Sequence, residues 1–269
     1  MAFFDHSEDR YYYFDAGAGT PIVLLHGLGN TGRVWAPQVV DMLRLGHRVI
    51  IPDLLGHGAS ANVGRVFTAH EQAQAIVALL EFLGLESAFF IGLSLGGMVA
   101  LEVAAQYPDA VDKLVVAGTF KTMATPHRQQ MLDSWIEALT QPDGCLKRFK
   151  SSWTDLVGQA FADTSAGMMC YQAWHAQAAA QDARNPVNWC EGMKRYDVGP
   201  RLGLITAPTL VLAGEADPMS SVAEAQAIGD LIPSAKVEVV AGEGHVFNVP
   251  CAAEFNRLVT DFLQGHRHG

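Results

Sequence analysis

The most constraining feature of this chain is an alternation of short, uninterrupted apolar runs with stretches of helical periodicity. Pro21-Ile22-Val23-Leu24-Leu25, Val49-Ile50-Ile51, Ala88-Phe89-Phe90-Ile91, Leu114-Val115-Val116-Ala117 and Thr209-Leu210-Val211-Leu212-Ala213 are each too short for a helix. They are also too uniformly apolar for a strand with one wet face, and so read as strands covered on both sides. Val237-Glu238-Val239-Val240 closes the series, and Tyr11-Tyr12-Tyr13-Phe14 precedes it, with Gly17-Ala18-Gly19 as the following turn. Between the runs lie helical segments. The segment from Thr68 to Leu83 spaces Ala73, Ile76, Val77, Leu80 and Leu83 at helical intervals, with Thr68 and Glu71 set as a capping box. Further helices are expected from Met98 to Tyr107, Val222 to Leu231 and Ala252 to Leu263. Such a chain can bury its strands only in an α/β fold, a mostly parallel central sheet flanked by helices.

The alternation stops after Thr119. From Thr125 to Val198 no strand is expected, and apolar residues recur at helical spacing (Met131, Trp135, Leu139; Phe149, Trp153, Leu156, Val157, Phe161). About 80 residues are far too many for an ordinary connection. The expected organisation is therefore a core of residues 1–120 and 204–269, interrupted by an all-helical cap of residues 121–203.

Composition narrows the partners. With 18 basic against 28 acidic residues, the net charge of −10 opposes nucleic acid or an anionic membrane surface as the main partner. No apolar run approaches the roughly 18–20 residues needed to cross a bilayer. The acidic start, with Asp5, Glu8 and Asp9 and no cationic flank before an apolar stretch, is unlike a secretory leader. Cys145, Cys170, Cys190 and Cys251 are widely spaced without a C-x-x-C pair, which suits free thiols in a reducing compartment and hence a cytoplasmic location.

One motif carries chemistry. Gly92-Leu93-Ser94-Leu95-Gly96 follows the run Ala88–Ile91 directly and opens a helix. A serine at a tight strand-to-helix turn needs small neighbours two positions away, and the turn lifts its hydroxyl above the sheet edge. The helix behind it turns free N–H groups toward the site.

These residues resemble the α/β-hydrolase family, and the resemblance extends along nearly the whole chain. His26-Gly27-Leu28-Gly29 stands where that family places its oxyanion segment, and Asp53-Leu54-Leu55-Gly56-His57-Gly58-Ala59-Ser60 is similar to its D-x-x-G-x-G-x-S turn. Gly214-Glu215-Ala216-Asp217-Pro218 and Gly242-Glu243-Gly244-His245 follow runs where the family carries its acid and its histidine. The resemblance implies Ser94 as nucleophile, His245 as base, Asp217 as orienting acid, and the backbone N–H groups of Leu28 and Leu95 as oxyanion donors. His26 and His57 are expected to support loops, and Asp53 and Ser60 to close hydrogen bonds in their own turn. A serine at position 94 excludes the family's aspartate-dependent dehalogenases and epoxide hydrolases.

The implied activity is hydrolysis of a small-molecule carboxylic ester or lactone, without metal or other cofactor. Carbon–carbon bond hydrolysis, thioester hydrolysis and cofactor-free perhydrolysis use the same triad. A ligand-sensing signalling protein on this scaffold is the alternative of another class, which a damaged triad would favour. Trp135, Met169, Trp174 and Val246 are the expected substrate contacts, with Met168, Tyr171 and Trp189 as further candidates to line an apolar pocket. Lys147-Arg148-Phe149-Lys150 is the one basic cluster, read either as a solvated helix face or as a dock for an anionic substrate tail or carrier. His266-Arg267-His268 is too sparse for a metal site.

Overall fold

The computed structural model describes residues 2–61 and 64–265, and His266-Arg267-His268 lies outside them. The strands are β1 (Ala2–His6), β2 (Asp9–Ala16), β3 (Pro21–Leu25), β4 (Arg48–Pro52), β5 (Ala88–Leu93), β6 (Val111–Ala117), β7 (Thr209–Gly214) and β8 (Ala235–Val240). They form one sheet in the order β1-β2-β4-β3-β5-β6-β7-β8. From β4 to β8 all neighbours are parallel, while β1 and β2 join at one edge as antiparallel strands. The turn Gly17–Gly19 does not make a hairpin of β2 and β3, because β4 inserts between them.

Strand alternation sends side chains to two cores. Val23, Leu25, Phe90, Val211 and Ala213 face one, and Ile22, Leu24, Ile91, Leu93, Leu210 and Leu212 face the other. The first core is covered by α2 (Ala69–Phe82), α3 (Leu95–Gln106) and α9 (Val222–Gly229), the second by α1 (Ala36–Arg44) and α10 (Ala252–Gln264). Fully burying one such aliphatic side chain contributes about 1.5–3 kcal/mol, so this two-sided cover dominates the stability of the sheet. The start of α2 carries both reciprocal bonds of the Thr68–Glu71 capping box.

Five helices connect β6 to β7: α4 (Pro126–Thr140), α5 (Gly144–Val157), α6 (Gln159–Ala162), α7 (Ser165–Ala180) and α8 (Arg184–Met193). They are not energetically separate from the sheet. Leu132 and Leu139 of α4 and Trp189, Cys190 and Met193 of α8 belong to the first core, whereas Phe149, Trp153, Val157 and Ala178 form a small cluster of their own. An isolated bridge between Thr122 and Asp197 joins the two ends of this segment.

Candidate active site

Ser94 sits at the junction of β5 and α3 with φ 53° and ψ −116°, a backbone region that L-residues avoid at a cost of about 1–3 kcal/mol. The surroundings leave it no alternative. A Cβ at Gly92 would stand 2.4 Å from the Gly96 carbonyl oxygen, and one at Gly96 would stand 2.0 Å from that of Leu25. Glycine at both positions is thus a packing requirement of the turn. The Ser94 N–H donates to the Ala117 carbonyl (2.9 Å), and the Ser94 carbonyl accepts from Thr119 Oγ1 (2.8 Å).

The loop after β8 brings His245 against Ser94, with His245 Nε2 2.9 Å from Ser94 Oγ. Nδ1 lies 2.7 Å from Asp217 Oδ2, in the loop after β7. The acceptor-only carboxylate requires the proton on Nδ1, which leaves Nε2 free to accept the serine proton. Asp217 and His245 are both buried. The second oxygen of Asp217 accepts from the N–H groups of Met219 (2.8 Å) and Ser220 (3.0 Å), so the carboxylate is held at both ends. Ser220 Oγ in turn donates to the Thr119 carbonyl (2.6 Å), tying the acid loop to the segment that holds Ser94. Thr119 and Ser220 were not among the expected site residues. Their effect is through main-chain geometry, which no motif spacing reports.

The segment after β3 passes beside the serine, where a Cβ on Gly27 would be 3.4 Å from Ser94 Cβ. Two buried histidines hold it in place. His26 Nε2 accepts from the Leu54 N–H (2.9 Å), and His57 Nε2 accepts from the Gly29 N–H (3.0 Å). Their Nδ1 atoms face the carbonyls of Gly27 and Leu55. Burial lowers the pKa of His26 to about 4 and that of His57 to about 3, so both are neutral donors and acceptors at ordinary pH. Asp53 bonds the Gly32 and Ala59 N–H groups, and Ser60 Oγ donates to the Asp53 carbonyl, as expected of a self-closing turn. The N–H groups of Leu28 and Leu95 donate to no other group among the described residues.

A cavity opens over Ser94 and His245, walled by Leu28, Leu95, Trp135, Trp174 and Val246 among others. Met169 is not there. It is 74% exposed on α7, as Met168 is at 61%. Trp189 is wholly buried beneath the cavity, edge-on to Phe67 with its Nε1–H bonded to the Leu55 carbonyl. Tyr171 packs against Phe149 and Trp153. The basic cluster divides. Lys147 and Lys150 are exposed, whereas Arg148 is turned inward and lines the cavity with Phe149 and Ser152.

The helical segment also grips the site's loops. Val246 N–H donates to the Leu156 carbonyl at the end of α5 (2.7 Å), and Gln177 Nε2 of α7 donates to the Gly29 carbonyl (2.8 Å). Among the described residues no group of three or more His, Cys, Asp or Glu side chains is placed to hold a metal ion, and no helix is long and apolar enough to cross a membrane.

Known proteins are similar to this chain over most of their length. A putative carbamate hydrolase, RutD, of Pseudomonas savastanoi pv. phaseolicola is 27% identical over 251 residues, covering 90% of this chain and 93% of its own. The 3-oxoadipate enol-lactonase 2 of Acinetobacter baylyi is 25% identical over 250 residues, covering 93% and 91%. The crystal structure of the enol-lactonase from Burkholderia xenovorans superposes with a TM-score of 0.90 at 22% identity, covering 98% of this chain and all of that one. A family model described as the alpha/beta hydrolase fold matches residues 20–249, from the start of β3 to the loop beyond His245, and the chain belongs to that family.

Proposed function

We propose that the protein is a serine hydrolase cleaving a small-molecule carboxylic ester or lactone through an acyl-enzyme. The observation that carries this reading is the continuous chain from Asp217 Oδ2 through His245 to Ser94 Oγ, with links of 2.7 and 2.9 Å. In this reading His245 takes the Ser94 proton as Oγ attacks the carbonyl carbon, and Asp217 stabilises the imidazolium. The unengaged N–H groups of Leu28 and Leu95 receive the oxyanion, where losing one donor typically costs about 3–4 kcal/mol of barrier. His245 then protonates the leaving oxygen, and a water attacks the acyl group by the reverse sequence. No metal or cofactor is required in this scheme. In a lactone the leaving oxygen stays tethered to the acyl group, and the apolar cavity suits such a compact ring.

The enol-lactonases among the similar proteins support an ester or lactone carbonyl, and the putative carbamate hydrolases act by name on a carbonyl open to the same attack. Helices α4 to α8 serve as the cap of this enzyme, with residues 121–203 as its span and 1–120 and 204–269 as the catalytic core. All four cysteines are free, and their thiols are pushed up by burial, which supports residence in the reducing cytoplasm.

The deciding experiment is labelling with a fluorophosphonate, beside turnover of a panel of p-nitrophenyl esters, γ-lactones and an aryl carbamate, in the wild type and Ser94→Ala. Label and turnover that both vanish in the folded variant are expected. A wild type that neither takes the label nor turns over any substrate would instead favour a ligand-sensing role.

A further inference from the structure

The arginines that are not exposed show one exception to a simple rule. Arg48, Arg128 and Arg201 each hold a carboxylate, of Asp15, Glu224 and Glu102, at 2.7, 2.8 and 2.7 Å. Arg33 and Arg195, which have no ion pair, stand in water. Arg148 has neither remedy. It is only partly accessible, its Nε is wholly shielded and without a hydrogen-bond partner, and no carboxylate among the described residues pairs with it. Its guanidinium instead lies over the Trp135 ring, 4.1 Å from the centroid. Burial pushes its pKa down from the ordinary value, with only the Cys145 and Cys190 thiols near enough to oppose the shift. A guanidinium nevertheless keeps its proton in proteins, so the charge stays.

Arg148, Ser152 and Leu156 follow one another at i, i+4 and i+8 along α5, and all three line the cavity that holds Ser94 and His245. Of the residues lining that cavity, Arg148 alone carries a permanent charge, and no Asp, Glu or Lys joins it. Arg148, Trp135, Ser152 and Met219 also border a second, adjoining cleft, where Lys147 adds a cation and Asp155 an anion. The arginine therefore stands in the wall between an outer cleft and the reacting centre. An unpaired cation so placed is costly unless an anion arrives to meet it.

We propose that Arg148 is the anchor for a carboxylate carried by the substrate, so that the enzyme's ester or lactone is an anionic one. This assignment rests on the hydrolase reading above for the reacting half of the molecule. The planar fork of the guanidinium matches a carboxylate, with the Trp135 face fixing its plane. A single charge is what the site neutralises. A phosphate monoester would bring a second negative charge against an apolar wall.

The test compares the monoanionic p-nitrophenyl glutarate with the neutral p-nitrophenyl valerate in the wild type, Arg148→Met and Arg148→Lys. The expected result is a fall in the anionic-to-neutral ratio of kcat/KM by about 100-fold in Arg148→Met and by about 10-fold in Arg148→Lys. A ratio unchanged within threefold in both variants overturns the proposal. A second readout needs no turnover. Monomethyl glutarate, a monoanion, should raise the Tm of Ser94→Ala, and the rise should vanish in Ser94→Ala/Arg148→Met. If the esters are inert and Ser94 takes no fluorophosphonate label, the hydrolase reading fails, and the monomethyl glutarate shift alone then decides for or against Arg148. A larger shift from propyl phosphate than from monomethyl glutarate would overturn the carboxylate assignment. Unliganded Arg148→Met should melt no lower than the wild type, and a marked drop would make the arginine a structural partner of Trp135 instead.

Discussion

His57 Nε2 accepts the N–H of Gly29 at 3.0 Å, and so an imidazole that never meets the cavity positions the loop carrying the Leu28 amide. Removing that acceptor leaves a part-buried donor unpaired, a cost of about 1 kcal/mol. His57→Phe, which keeps a ring of similar size, is expected to lower kcat for an ester substrate about 10- to 100-fold with little change in KM. Steady-state kinetics on the folded variant checks this, and an unchanged kcat would mean that His57 does not position the loop carrying the Leu28 amide for the reaction.

The same histidine and its neighbour make stability depend on pH. Folded His26 and His57 titrate at about 4 and about 3, while the unfolded chain binds those protons near its ordinary value of 6.5. Below pH 6.5 the unfolded state is therefore protonated first, and stability falls as pH drops toward 4. By pH 5 each histidine costs about 2 kcal/mol. Urea unfolding between pH 7.5 and 4.5 should show this decline, and it should be shallower in a folded His57→Gln variant. A flat profile would mean that both imidazoles reach solvent.

Asp217→Asn should keep the geometry but allow the wrong histidine tautomer, since an amide can donate to Nδ1. The expected loss in kcat is on the order of 10⁴-fold. A loss of less than tenfold, in rates corrected for active-site titration, would remove Asp217 from the triad.

Gly96→Ala places a Cβ at about the 2.0 Å position from the Leu25 carbonyl, where backbone on both sides must move. A destabilisation of at least about 3 kcal/mol is expected, read as a lower urea midpoint or as insoluble protein. Normal stability would mean that the strand–helix turn is looser than its contacts imply.

Arg201 forms a bidentate pair with the buried carboxylate of Glu102, at 2.8 and 2.7 Å, and neither residue lines the cavity. Arg201→Met leaves that carboxylate without its cation, with Gln106 Nε2 still donating to it, and should cost about 2 kcal/mol, since the arginine end is partly in water. The activity of the remaining folded enzyme should be unchanged. A fall in kcat/KM per folded molecule would link this ion pair to the chemistry.

The strands and helices of the sheet were legible wherever burial was two-sided or caps were marked, as at Pro21–Leu25 and at Thr68 with Glu71. The polar-ended strand Ala2–His6 and the helix Ala36–Arg44 were not, because β1 buries only Phe4 and α1 only Gln38 and Met42. Motif order singled out Ser94, Asp217 and His245 as candidates because each follows the end of a strand. The pocket was less readable. Met169 and Trp174 lie five residues apart on one helix, and only packing decides that one faces water and the other the cavity. Arg148 was obscured by its neighbours Lys147 and Lys150, which are exposed. The i, i+4, i+8 row with Ser152 and Leu156 was the available signal that it faces inward.

The two bonds from the helical segment, Gln177 to Gly29 and Val246 to Leu156, have a bearing on how such an enzyme changes its diet. A segment that merely roofed the site would be an interchangeable part, free to diverge or be grafted from a relative. Here one helix steadies the loop expected to receive the developing negative charge, and another steadies the loop bearing His245. A transplanted segment must therefore supply a donor facing position 29 and a carbonyl facing position 246, or the new specificity arrives with a slower reaction. Divergence is freest on a residue such as Trp174, whose side chain faces the cavity without bonding either loop.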